Sequence, residues 1–291
     1  MTTWRAFTKL TLSLRIIARR TDGYHELDAL TVSVSEPHDA VTVDVGAGRD
    51  RVELALSGPA ADGVTTGSDN LAVRAARKML DRASDAHRAR GVRIDLCKQI
   101  PAGAGLGGGS ADAAVVLHAL DELLQLELST FELASLGADL GSDVPFCVHG
   151  GAAFMRGRGD IIVPTTVPEL HTLIAVPPFS IKTPPVFRAW DVLGGPHSER
   201  VVAGPLGIGE LVNDLEPAAE HVAPRLRDFR EALERAAGAP AILAGSGSAN
   251  AVLFDDPDAA KAALARVTQS GVARFAFLGV TCATGVAALD R

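Results

Sequence analysis

Cysteine is scarce in this 291-residue chain: Cys97, Cys147 and Cys282 are the only three, far apart, with no Cys-x-x-Cys pair. An odd, dispersed set does not build a disulfide scaffold and fits buried thiols in a reducing compartment. Positive charge is short as well. Lys and Arg total 28 against 35 Asp and Glu, a formal net charge of −7. That balance argues against a nucleic-acid coat or a polybasic membrane binder, so an anionic ligand must be held by a local device. Long apolar runs are also missing. Arg5, Lys9 and Arg15 break up the start of the chain, leaving Leu10 to Leu14 short of the roughly 7 to 15 residues of a signal-peptide core. No stretch reaches the roughly 18 apolar residues of a membrane span. The expectation is a cytoplasmic protein, monomer or homodimer, with neither nucleic acid nor membrane as partner.

Several catalytic signatures are absent too. The chain has no Gly-Lys dipeptide, hence no Walker loop, and no His-Glu-x-x-His, Cys/His zinc spacing or Gly-x-Ser-x-Gly elbow. What is present is an ordinary globular composition, 47% hydrophobic and 22% charged, with no internal repeat. Its length favours two domains, or one large one.

Alternation over 27–35, 40–45 and 51–56, separated by Glu36-Pro37-His38-Asp39 and Gly46-Ala47-Gly48, predicts short antiparallel strands. Helical spacing begins at Asp69 and runs to about Ala86, with Ser68 or Asp69 as a cap. A strand over 91–98, a glycine-rich loop over 101–109 and a helix over 111–124 follow. A helix over 130–136 and a loop over 137–145 come next. The glycine-rich strip Gly150–Gly159 is the expected domain boundary, giving domains 1–158 and 159–291. Beyond it the pattern predicts a strand at 170–176, a short helix at 184–192 and a long loop over 194–209. Helices at 209–222, 225–237 and 257–269 alternate with strands at 241–244, 251–254 and 274–280. The fold class is α+β.

The strongest chemical signal is Pro101-Ala-Gly-Ala-Gly-Leu-Gly-Gly-Gly-Ser110. Such a glycine density lets main-chain N–H groups close around an anion while the following helix presents its positive end. A flexible turn is the plain alternative. Gly103, Gly105 and Gly108 also fit a dinucleotide fingerprint, and with it a dinucleotide-dependent oxidoreductase, but that device needs a second strand straight after the helix. The residues after 124 predict more helix. A non-catalytic nucleotide-binding module is a third possibility.

The motif Pro101, Gly105, Leu106, Gly107, Ser110 resembles the central motif of the GHMP kinases, which phosphorylate small molecules. Four further segments are similar to one branch, whose acceptor is a cytidine diphosphate derivative of methylerythritol in non-mevalonate isoprenoid synthesis. They are Asp22-Gly23-Tyr24-His25-Glu26-Leu27, Gly107 to Ala114, Gly141-Ser142-Asp143-Val144-Pro145-Phe146 and Asn213-Asp214-Leu215-Glu216-Pro217. The resemblance implies a ribosomal-protein-like N-terminal domain, a ferredoxin-like C-terminal domain, and a cleft between them for Mg²⁺·ATP and the cytidine diphosphate substrate. It implies a kinase transferring phosphate to the 2-hydroxyl, with a GHMP-type kinase of another small alcohol, or a catalytically weakened paralogue, as the alternative.

By the same resemblance Lys9 and Asp143 are catalytic, although a solvated strand lysine and a loop-capping aspartate are the plain readings. Pro101, Gly103, Gly105, Leu106, Gly107, Gly108, Gly109 and Ser110 hold ATP, Ser110 also serving Mg²⁺, where a helix N-cap serine is the alternative. Asn70 matches an adenine-pocket position and is equally placed to cap a helix. Thr11, Tyr24, His25, Thr183, Phe187, Gly245, Ser246 and Gly247 take the substrate side. Three departures fall near the substrate. Thr11 stands where the family has Asn, Ala244, Ser248 and Ala249 alter the third motif, and Met155 and Arg156 replace a small residue and threonine.

Overall fold

The computed structural model describes residues 2–46, 52–83, 91–195 and 211–289. It begins with a long antiparallel hairpin, β1 (Thr2–Arg19) and β2 (His25–Val45), whose turn places Gly23 at φ +85°. The expected break at Glu36-Pro37-His38-Asp39 is not a turn. The strand runs through it, with His38 opposite Phe7 and Asp39 opposite Ala6, and a register shift after Phe7 absorbs the irregularity. Proline is tolerated within a sheet at such a bulge. A second register shift lies between Thr11 and Ser13. It exchanges faces: Leu10 and Leu12 pack with Val32, Ile174 and Ala251, whereas Leu14 and Ile16 join the helix-covered core. A one-residue bulge reverses the alternation of everything beyond it.

β3 (Val52–Ser57) does not continue an antiparallel meander. It pairs in parallel with β4 (Val92–Cys97), which lies antiparallel to β2. The reason is the helix between them, α1 (Leu71–Arg82), since parallel neighbours need a crossover connection. Residue 51 and the expected helix end at 84–86 lie outside the described residues.

After β4 and the glycine loop come α2 (Gly108–Leu124), α3 (Thr130–Ala138) and α4 (Val144–His149). No strand follows α2 directly, so the βαβ unit of a dinucleotide site is not formed. α2 is built of Ala, Val and Leu buried on most sides, the pattern of a helix enclosed by the fold. Gly107 is its N-cap, in the left-handed region, and Ser110 lies inside the first turn. The N-cap alternative for Ser110 therefore falls.

β5 (Ala152–Gly157) pairs with β2 and forms a hairpin with β6 (Ile161–Thr165), so position 158/159 falls in that hairpin's turn. The remainder comprises β7 (His171–Val176), α5 (Thr183–Leu193), β8 (Val212–Asn213), α6 (Glu216–Val222), α7 (Arg225–Ala237), β9 (Ala241–Leu243), β10 (Asn250–Phe254), α8 (Pro257–Ser270), β11 (Phe275–Cys282) and β12 (Val286–Ala288). Most of the loop expected at 194–209 lies outside the described residues. The helix expected from 209 begins only at Glu216. Residues 212–213 instead pair with Ser13 and Leu14 of β1, and Asp214 Oδ2 accepts a hydrogen bond from Ile16 N at 2.8 Å. Asn and Asp side chains that bind backbone groups compete with helix in this way.

Sheet order runs β12-β1-β2-β11-β7-β10-β9, with β11 joining the two halves by pairing with both β2 and β7. The architecture is α+β, as the sequence implied. Among the described residues no helix is long and apolar enough to cross a membrane.

Candidate active site

The site forms where β1, the glycine loop, the start of α4 and the 244–247 turn converge on a cavity of about 630 Å³. Lys9 enters from the middle of β1. Its backbone N–H donates to Leu106 O at 3.1 Å, which fixes the strand against the loop. The aliphatic stem of Lys9 lies across Gly107, where a Cβ would come 2.6 Å from its Cγ. This close approach, together with φ +70°, explains glycine at 107. The Lys9 ammonium reaches Asp143 Oδ2 at 3.4 Å, and the lysine side chain is only 9% exposed. It is therefore not a solvated strand lysine.

Asp143 occupies the N-cap position of α4, yet its side chain makes no capping hydrogen bond. Pro145 in the first turn supplies the fixed φ that starts the helix and removes one N–H that would need a cap. The carboxylate is left to face Lys9 and the cavity. Cys147, one turn further along α4, is fully buried, and burial, reinforced by Asp143, pushes its thiol far up. It stays protonated and inert.

The two glycine turns touch. A side chain at Gly105 would strike the carbonyl of Ala244, and Gly245 lies beside the Lys9 ammonium, its would-be Cβ at 3.6 Å. Asn213 supports the second turn by donating to Leu243 O at 2.9 Å and Gly245 O at 2.7 Å. This gives its Asn-Asp-x-Glu-Pro segment a physical task. Ser246 Oγ pairs with Thr183 Oγ1 at 2.7 Å, linking that turn to α5.

At the other end of the cavity His25 stacks on Phe187, with centroids 4.9 Å apart, and shares a hydrogen bond between Nε2 and Asp191 Oδ1 at 2.8 Å. Tyr24 is 55% exposed, and the Arg158 guanidinium lies 5.0 Å from its ring centroid. Thr11 faces the same cavity as Lys9, two residues along β1, with its hydroxyl 3.4 Å from that of Thr31 on β2.

Lys9, Thr11, Tyr24, His25, Gly105, Gly107, Ser110, Asp143, Thr183, Phe187, Gly245 and Ser246 thus share one cavity wall. Asn70, Pro101, Gly103, Leu106, Gly108, Gly109 and Gly247 are not part of its lining. Leu106 is buried in the core, and Asn70 caps α1, its side chain accepting from Ala72 N at 2.9 Å. Sequence reading missed Thr31, Ser142, Arg158 and Asp191, which also line it, as does Met155, one of the departures expected near the substrate. Asp191 had a signal: it follows Thr183 and Phe187 at helical spacing of four. Thr31 had none until pairing placed it opposite Thr11.

Residues 70–151 match the family model of the GHMP kinases N terminal domain, and residues 206–273 that of the GHMP kinases C terminal domain. The 4-diphosphocytidyl-2-C-methyl-D-erythritol kinase of Moorella thermoacetica is 36% identical over 91% of this chain and 94% of its own length. That of Saccharopolyspora erythraea is 37% identical over 94% and 89%. Among solved structures, a 4-(cytidine 5'-diphospho)-2C-methyl-D-erythritol kinase superposes with a TM-score of 0.77 at 34% identity, over 96% of this chain and 98% of that one. Homoserine kinase from Cytophaga hutchinsonii shares the fold, with a TM-score of 0.72 at 19% identity.

Proposed function

The chain belongs to the GHMP kinases, and from that premise we propose that it transfers the γ-phosphoryl group of ATP to the 2-hydroxyl of 4-diphosphocytidyl-2-C-methyl-D-erythritol, in non-mevalonate isoprenoid precursor synthesis. The observation that carries the proposal is the Lys9–Asp143 pair at 3.4 Å, set where two glycine turns meet. Phosphoryl transfer asks the protein chiefly for positioning and charge neutralisation. In this reading Asp143 takes or orients the acceptor hydroxyl proton. The acceptor oxygen bonds to the γ-phosphorus as the bond to the β-phosphate oxygen breaks, and ADP leaves. Lys9 sets its positive charge beside Asp143 and draws the hydroxyl toward the reacting phosphate.

The loop from Pro101 to Ser110 takes the ATP phosphates on its backbone N–H groups. Among the described residues no three His, Cys, Asp or Glu side chains gather into a metal cage. Ser110, in the first turn of α2 and on the cavity wall, fits a Mg²⁺ bound mainly through phosphate oxygens and water. Bound there, Mg²⁺ supplies neutralisation of the phosphate charge. On the acceptor side, Tyr24, His25 and Phe187 offer ring surfaces for cytosine, with Thr183 in the same pocket, while Gly245, Ser246 and Gly247 serve the diphosphate and Thr11 the acceptor. We also propose that 1–158 and 159–291 act as the two domains about this cleft.

The test is ADP formation from Mg²⁺·ATP with the cytidylyl acceptor. Acceptor-dependent ADP is expected, with product phosphorylated at the 2-hydroxyl, and ADP no higher than in the acceptor-free control overturns the reading.

A further inference from the structure

Outside the cavity lining lies a charge cluster that the reaction does not use. Lys98, just after β4, donates from Nζ to Asp39 Oδ2 of β2 and to Asp112 Oδ2 of α2, the latter at 2.7 Å. The three side chains are 3%, 0% and 5% exposed. Asp39 Oδ1 also accepts from the backbone N–H groups of Gln99 at 2.5 Å and Ile100 at 2.9 Å, the residues that lead into Pro101. On the far side of the loop, a Cβ on Gly108 would come 2.9 Å from Ile100 Cγ2 and 3.2 Å from the Lys98 ammonium. One carboxylate therefore grips the entrance of the glycine loop. The lysine joins that grip to the helix at its exit.

The arrangement costs stability. Two carboxylates share one ammonium in a buried site, and Asp112 Oδ1 has no hydrogen-bond partner among the described residues. Desolvation drives the Asp112 carboxyl well above its usual range. Apolar side chains of similar volume would be at least as stable there. What apolar packing would not supply is directional fixing of both ends of a ten-residue loop with five glycines between positions 103 and 109. We infer that Lys98, Asp39 and Asp112 are positioning residues for the phosphate loop, holding its N–H groups in the geometry that ATP phosphates require. This rests on the reading of that loop as the ATP cradle. The cost of ordering the loop is met on folding rather than on binding, which raises affinity by preorganisation.

The test is Mg²⁺·ATP affinity by calorimetry on the full chain, alongside acceptor-dependent ADP formation. Asp112→Ala leaves a balanced Lys98–Asp39 pair, and its ATP Kd is expected to rise about fivefold, the equivalent of one net hydrogen bond. The acceptor KM at saturating ATP should change less than about twofold. Asp112→Asn, which keeps an oxygen for Lys98, should return the Kd to within about twofold of wild type. A paired Lys98→Met/Asp112→Leu variant replaces charge by apolar packing and should weaken ATP about tenfold. A merely structural cluster leaves ATP affinity in folded protein unmoved. Folded Asp112→Ala with a Kd within twofold of wild type overturns the inference. If that variant does not fold, the paired variant decides by the same measure. Failure of the underlying reading shows in the wild type instead, as absence of Mg²⁺·ATP binding.

Discussion

Gly107 and Lys9 occupy one contested volume, so a side chain at 107 acts on catalysis as well as on nucleotide binding. Gly107→Val places a branched carbon where the Lys9 stem now lies, at a backbone φ of +70°. Both KM for ATP and kcat should worsen, and a folded variant with unchanged ATP affinity would refute the cradle. Asp143→Ala should separate the two effects. Its carboxylate caps nothing, so the fold tolerates its loss, while kcat should fall by about 10² to 10⁴ with ATP binding retained. Near wild-type kcat would remove Asp143 from the chemistry. Thr11 lines the same cavity as Lys9. The Thr11–Thr31 hydroxyl contact is long, at 3.4 Å, and an amide offers two donors where a hydroxyl offers one. Thr11→Asn is expected to raise kcat/KM by about two- to tenfold. A change within twofold at unchanged Tm would mark Thr11 as an ordinary strand residue.

At the scale of elements, α1 and α4 each bind a local device to a global one. Asn70 holds the α1 N-terminus through Ala72 N and donates to Thr65 O at 2.7 Å. Asn70→Ala should lower Tm by about 2–4 °C, and Asn70→Ser, which keeps a cap oxygen, should lower it far less. If the amide also meets adenine, both variants raise KM for ATP. On α4, burial first and the neighbouring His118 second hold the His149 pKa below its usual value. A base whose pKa is depressed on folding contributes stability above its unfolded pKa and loses it as pH falls toward the folded value. The protein should therefore lose Tm as pH falls from about 7.5 to 5.5, and His149→Asn should lessen that slope in thermal melts. The helices were the legible part of the sequence because their periodicity is local: α2, α7 and α8 emerge with nearly their expected bounds. The strands were less so. β2 crosses a proline, β3 takes its partner from beyond a helix, and β8 is defined by side chains of Asn213 and Asp214 reaching other segments. Lys9 and Asp143 were legible through family motifs. The Lys98–Asp39–Asp112 cluster was not, because no spacing announces a contact between residues 59 positions apart.

Across the whole molecule, the last described strand closes on the first, and the closure reaches the site. β12 lies beside β1, with Ala288 opposite Trp4, and Phe7 N donates to Gly285 O at 3.1 Å. Gly285 in turn presses on Gly150, the residue that ends α4, so closely that a Cβ on Gly150 would overlap its backbone. Gly150→Ala should cost about 2 kcal/mol or more. Since Asp143 stands at the opposite end of that six-residue helix, the variant's kcat should also fall, as melts and steady-state rates would reveal. The same closure imposes an order in time. The ribosome makes β1 and β2 first, yet β11 and β12, which flank them, are made last. Until they emerge, Trp4 to Ala6 of β1 and Ser33 and Val34 of β2 lack the strands that cover them, a state prone to the wrong pairing. Lys9 therefore waits for nearly the entire chain to be made before the sheet around it can close.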